Sequence, residues 1–179
     1  MRKIALGPNP AHPGPMSKIT PKKCPPIGQL RLAAQNAAAL AYAPYSGFTV
    51  GAAVWTDRGL FTGANVENAS YGLTNCAERT AIFAAAAAGA RRVERVVVYT
   101  PTPSPTAPCG ACRQVIFEFG PDAEVVSCCR GEDTLETTID ALLPGAFGPA
   151  DLGIEPADYG TTGKAAAARP SAKRAKKTS

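Results

Sequence analysis

The chain has one histidine, His12, in 179 residues, and no lysine between Lys23 and Lys164. His12 lies near the N-terminus among prolines, so a metal site in the body of the chain has no imidazole to draw on and must be built from cysteine and carboxylate. Also missing is an apolar run of the roughly 18 residues that a membrane span needs. The N-terminus, MRKIALGPNPAHPGP, is basic, but its apolar piece is too short for a secretory signal. These shortages predict a soluble cytoplasmic protein. In that compartment six cysteines point to metal ligands or buried thiols rather than disulfides.

Acid is missing from both ends. Residues 1–24 carry five basic side chains and residues 160–179 carry six, with no acid in either stretch. Between them lie eight arginines against fourteen acids, so a body of net charge −6 separates two cationic ends in a chain that is +5 as a whole. An acidic body matches polynucleotide poorly unless the ends do the binding. The N-terminal stretch is punctuated by Pro8, Pro10, Pro13, Pro15 and Pro21, and the C-terminal one has no large apolar residue; both compositions predict disorder. The expected organisation is a basic, proline-rich extension over 1–26, one domain over 27–158 and a basic tail over 159–179, with Met16 as an alternative start.

Within the domain, Pro25-Pro26 precede an alanine- and leucine-rich segment that predicts a helix from Ile27 to about Tyr42, ended by Pro44. Phe48–Thr56 reads as a strand and Asp57-Arg58-Gly59 as a hairpin turn into a second strand, Leu60–Ala64. A helix follows from near Cys76 to Gly89. The run VERVVVY (Val93–Tyr99) has the β-branched character of a strand covered on both faces. After the proline-spaced loop PTPSPTAP come a short helix in PCGACRQVIFEFG, strands near Glu124–Cys129 and Thr134–Thr138, and a helical turn before Leu142. The order αββαβαββ predicts an α/β fold, a five-stranded mixed sheet between helices.

Two stretches carry chemistry. In NCAERTA, residues 75–81, a thiol and a carboxylate are separated by one alanine at a helix start. In Pro108-Cys109-Gly110-Ala111-Cys112 a CxxC opens another helix, whose first turn brings the second sulfur back over the first. Cys76, Cys109 and Cys112 therefore supply three thiolates to one zinc, and a fourth position left open makes such a site reactive. Two alternatives stand beside this: a closed structural zinc completed by Cys128 or Cys129, and a redox dithiol. Glu78 at the first turn reaches a water on the metal rather than the metal itself; its bland reading is an acid favoured by the helix dipole, worth about 0.3–1 kcal/mol. Arg79, one turn after Cys76, can donate to thiolates and offset their excess charge.

The CAE and PCxxC pair resembles the zinc-dependent cytidine deaminase family. APYSGFTVGAAV, GANVENASYG, CAERTA, PCGACRQV and LLPGAF are together similar to its small, free-nucleoside, three-cysteine branch, over about residues 27–153. The resemblance implies an α/β/α sandwich and a homotetramer with shared active sites, one zinc per subunit on Cys76, Cys109 and Cys112. It implies Glu78 as proton shuttle and Arg79 as the arginine that donates to the thiolates. Asn65 and Glu67 match the pair that holds the ribose 3′-hydroxyl, Phe48 an aromatic near the base, Ala77 a backbone contact to the pyrimidine, and Phe147 an aromatic that reaches a neighbouring subunit's site. The implied activity is hydrolysis of cytidine and 2′-deoxycytidine to the uridines in pyrimidine salvage. The alternatives are a deaminase of another small aminopyrimidine such as blasticidin S and, from another class, a nucleic-acid-binding protein working through its tails. Cys24, Cys128 and Cys129 are left as a tail thiol and two buried strand thiols.

Overall fold

A strand needs partners for its backbone and cover for its apolar face, and VERVVVY obtains both. It forms β3 (Val93–Tyr99) at the centre of a five-stranded sheet in a computed structural model that describes residues 23–153. Its neighbours are β1 (Gly51–Thr56) and β4 (Glu124–Cys128), flanked in turn by β2 (Gly59–Ala64) and β5 (Thr134–Thr138), giving the order β2-β1-β3-β4-β5. Only the β3–β4 pair is parallel. Its connection is α3 (Gly110–Phe119), as a parallel crossover requires. The predicted tails, apart from residues 23–26, lie outside the described residues.

Alternation along β3 sends Val96 and Val98 to one core and Val97 to the other. The first core is closed by α2 (Ala77–Ala87), α3 and the short α4 (Ile139–Leu142), through Ala81, Ile82, Ile116 and Ile139. The second is closed by α1 (Ile27–Ala38), through Leu30 and Ala34. Each fully buried aliphatic of this size contributes about 1.5–3 kcal/mol. The result is the expected three-layer α/β/α sandwich.

Boundaries differ from expectation at three places. The first helix stops at Ala38 rather than near Tyr42, because the Tyr42 backbone is drawn into a bridge: its N–H donates to Asn65 O at 3.0 Å and its carbonyl accepts from Glu67 N at 2.8 Å. The strand expected from Phe48 begins at Gly51, since the Asn65 side chain takes the place of a ladder partner for residues 48–50. Cys24, expected to be a tail thiol, instead packs against the core under α1 and accepts from Arg95 Nη1 at 3.4 Å.

Two glycines let helices lie close on the sheet. A Cβ on Gly51 would stand 1.9 Å from Ala34 O, and one on Gly63 would stand 2.5 Å from Ala81 N and 2.6 Å from Ala77 O. The second contact seats the first turns of α2, the helix that follows Cys76. Neither obstacle is a flexible side chain, so the helix itself has to move. Gly63→Ala is expected to destabilise by about 2–3 kcal/mol, read as a fall of several degrees in thermal midpoint; an unchanged midpoint would show that α2 is not seated there.

Candidate active site

Both reactive stretches fold so that a cysteine caps a helix. Cys76 is the N-cap of α2 and Cys109 that of α3, each in extended conformation with the helix beginning at the next residue. Cys112 lies in the first turn of α3 and is fully buried. The α2 and α3 N-termini converge, and the three Sγ atoms lie within 4.8 Å of one another, with Cys76 and Cys109 3.8 Å apart. Zinc–sulfur bonds of about 2.3 Å in a tetrahedron give edges of about 3.8 Å, so the spacing suits that ion. Two helix N-termini directed at the sulfurs favour their negative charge.

No fourth cysteine joins the group. Cys128 is buried in the core under α1, on the other face of the sheet, and Cys129 Sγ donates to Asp133 O at 3.4 Å. Both are buried, as expected, but neither completes a closed four-sulfur site among the described residues.

Hydrogen bonding differentiates the thiols. The bond from Cys112 to Cys76 holds the Cys76 thiol down at about 5, helped by Arg79 and Cys109 and opposed by burial. The same bond, with burial, pushes Cys112 up. Arg79 Nη2 donates to Cys76 Sγ at 3.4 Å and to Thr74 O at 3.3 Å, so the expected contact between guanidinium and thiolate is present.

Glu78, in the first turn of α2, is only 4% exposed. Burial raises its pKa above the ordinary carboxylate value, opposed in part by its own backbone N–H. Its carboxylate is within hydrogen-bonding reach of the Cys112 thiol. A buried acid with a raised pKa, touching a thiolate cluster, is poised to exchange protons rather than to form an ion pair.

The remaining predicted residues are placed as follows. Ala77, the first residue of α2, is buried and belongs to the turn whose backbone N–H groups have no partner within the helix. Asn65, 7% exposed, accepts from Val50 N at Oδ1 and donates from Nδ2 to Phe48 O, each at 2.8 Å. Each end uses half its capacity, so one N–H and one lone pair remain. Glu67 accepts from Tyr45 N at 2.9 Å, Ser46 N at 3.2 Å and Ser46 Oγ, and the hydroxyl and amide bonds lower its pKa. Phe48 is 41% exposed and lies outside β1, which begins at Gly51. Tyr45, whose N–H bonds Glu67, meets Tyr71 with ring centroids 6.0 Å apart. Phe147 is 60% exposed, and its backbone carbonyl accepts from Gln114 Nε2 at 2.8 Å.

Sequence reasoning passed over Ser46, Thr74, Arg113 and Gln114. Thr74 accepts from Arg79 through its own carbonyl, and the other three donate to backbone carbonyls or to a loop acid; such bonds leave no signature in residue spacing. Two open concavities lie at the C-terminal ends of α2 and α3, one around Ala86, Arg91, Glu118 and Phe119, the other around Arg92, Glu94, Gly120 and Asp122. At about 1.5 Å per residue they are a helix length from the sulfurs, and they contain no predicted site residue.

Comparison with known proteins agrees with the geometry. The family model described as the cytidine and deoxycytidylate deaminase zinc-binding region matches residues 28–129. The chain is similar to the cytidine deaminase of Halalkalibacterium halodurans, 52% identical over 114 residues that span 63% of this chain and 86% of that one. It is also similar to the probable cytidine deaminase of Dictyostelium discoideum, 48% identical over 122 residues, 67% of this chain and 82% of that one. Among solved structures, the cytidine deaminase from Burkholderia pseudomallei superimposes with a TM-score of 0.66 at 52% identity, covering 68% of this chain and 99% of that one.

Proposed function

We propose, from the chain's membership of the cytidine and deoxycytidylate deaminase family, that it is a zinc-dependent cytidine deaminase converting cytidine and 2′-deoxycytidine to uridine and 2′-deoxyuridine. One observation carries this reading: a buried Glu78 beside Cys112, which is one of three converging sulfurs. Cys76, Cys109 and Cys112 would hold one zinc per subunit. When bound, that ion supplies Lewis-acid activation of water, lowering its pKa from about 15.7 toward about 7.

The protein's own groups do the rest. Glu78 removes the proton of the attacking water and delivers it to ring N3. The water oxygen bonds to C4; Glu78 then takes the remaining hydroxyl proton and passes it to the C4 amino nitrogen, the carbonyl forms as the C4–N4 bond breaks, and ammonia leaves. Burial favours this cycle, because a carboxyl whose pKa is raised toward neutrality both takes and gives a proton readily. Arg79 offsets the negative charge of the thiolates through its bond to Cys76. Ala77 offers its backbone to the pyrimidine, Phe48 flanks the base, and the spare capacity of Asn65 together with the Glu67 carboxylate takes the ribose 3′-hydroxyl.

Glu67→Gln is expected to raise KM for cytidine and for 2′-deoxycytidine alike by about tenfold or more, since both sugars carry the 3′-hydroxyl. Steady-state kinetics on the two nucleosides checks this, and an unchanged KM for both would remove Glu67 from the substrate site.

The active unit in this reading is a cytoplasmic homotetramer with shared sites, serving pyrimidine salvage. Supporting it, Tyr45, Phe48, Tyr71, Leu73 and Phe147 are all well exposed in the single chain, and large exposed apolar side chains suit a surface covered by another subunit. All six cysteines are free, as in a reducing compartment. No helix among the described residues is long and apolar enough to cross a membrane.

A further inference from the structure

We propose that Arg113 and Gln114 are positioning residues that fasten the 142–148 segment to the cysteine-bearing turn, so that one clamp sets both the Cys109–Cys112 turn and the placement of Phe147. The two residues directly follow Cys112. Arg113 donates from Nε to Pro108 O at 2.8 Å and from Nη1 to Leu142 O at 2.9 Å. Pro108 immediately precedes Cys109, and Leu142 ends α4. A single planar guanidinium therefore fixes the separation of two chain segments, which a lysine ammonium, a point donor without the fork, does not reproduce.

Gln114 adds the second fastening, from Nε2 to Phe147 O at 2.8 Å. The third comes from packing: Gly148 is buried against α3, and a Cβ there would stand 2.7 Å from Phe117 Cε1. The segment is thus held to α3 at residues 142, 147 and 148, while Gly145, at φ 67°, supplies the turn between the first two. A pinned backbone beneath a mostly exposed ring presents that ring outward. Helix α3 carries two sulfurs at its start and Phe147's support one residue past its first turn, so displacement of either is transmitted to the other. That Phe147 meets substrate rests on the function proposed above; the clamp itself rests on these contacts.

The test uses the full-length zinc-loaded protein. Gln114→Glu keeps the shape and removes the donor, and Gln114 is exposed, so the fold is retained. Amide exchange within 142–148 should accelerate about fivefold to tenfold, the weight of one hydrogen bond. KM for cytidine should rise by a similar factor, with zinc content unchanged and kcat within about twofold. Phe147→Ala should raise KM as well, and adding Gln114→Glu to it should raise KM no further. Arg113→Lys should accelerate exchange in the same segment and speed zinc release to a chelator severalfold, a readout that does not depend on turnover. Unchanged exchange in both variants overturns the clamp. Accelerated exchange with an unmoved KM in Gln114→Glu, where Phe147→Ala does raise KM, overturns its role in placing Phe147. If Phe147→Ala leaves KM unmoved, the substrate role of Phe147 falls, and faster exchange with faster zinc release still upholds the clamp.

Discussion

Glu78→Gln is expected to retain one zinc per subunit and to lose cytidine turnover by about 10²- to 10⁴-fold, the usual contribution of a positioned acid–base group. Glutamine keeps the size and the hydrogen-bonding reach of the buried side chain. What it loses is the ability to accept a proton from water and pass it to N3 and to the leaving nitrogen. Because the ligand set is sulfur, metal content should not follow activity. Ammonia release measured beside zinc content separates the two. Near-normal turnover in a zinc-replete variant would remove Glu78 from the reaction, and loss of zinc along with activity would make it a ligand instead.

Cys112→Ala is expected to abolish both zinc retention and turnover. Cys112 is fully buried between the other two sulfurs and Glu78, so no solvent group replaces it easily. Two thiolates alone hold zinc far less tightly than three, and metal bound to the native state is folding free energy. At a zinc concentration 1,000 times its dissociation constant, the bound ion contributes about 4 kcal/mol, equivalent to roughly 10 °C or more in thermal midpoint for a chain of this size. Cys128→Ala is the matched control. It removes an equally buried thiol from the core under α1 and should leave zinc and turnover in place. Full zinc occupancy in Cys112→Ala would contradict the three-sulfur site.

The fold was legible where side-chain character and backbone demand agree. Val93–Tyr99 has no polar face to place outward except at its ends, and it became the central strand with both faces covered. The cysteine motifs were legible because a metal imposes its own geometry: CxxC at one helix start and a single cysteine at another have few arrangements that bring three sulfurs together. Tyr42 and Phe48 were misplaced because a side chain intervenes. Asn65 bonds the backbone at Phe48 and Val50 as a strand would, and its own carbonyl takes the Tyr42 amide, so neither helix nor sheet extends through residues 39–50. Composition favours helix up to about Tyr42 and strand from Phe48, and no local pattern reveals an asparagine fifteen residues beyond Val50 acting as a template. Arg113 and Gln114 were missed for the same reason, since an arginine or glutamine on a helix surface reads as solvated until its carbonyl partners are in place.

X-ray absorption at the zinc edge of the purified protein tests the central claim most directly. Three sulfur neighbours per zinc and one lighter atom are expected, in a sample containing one zinc per chain. Four sulfurs around the ion, or a protein that binds no zinc at all, would contradict it.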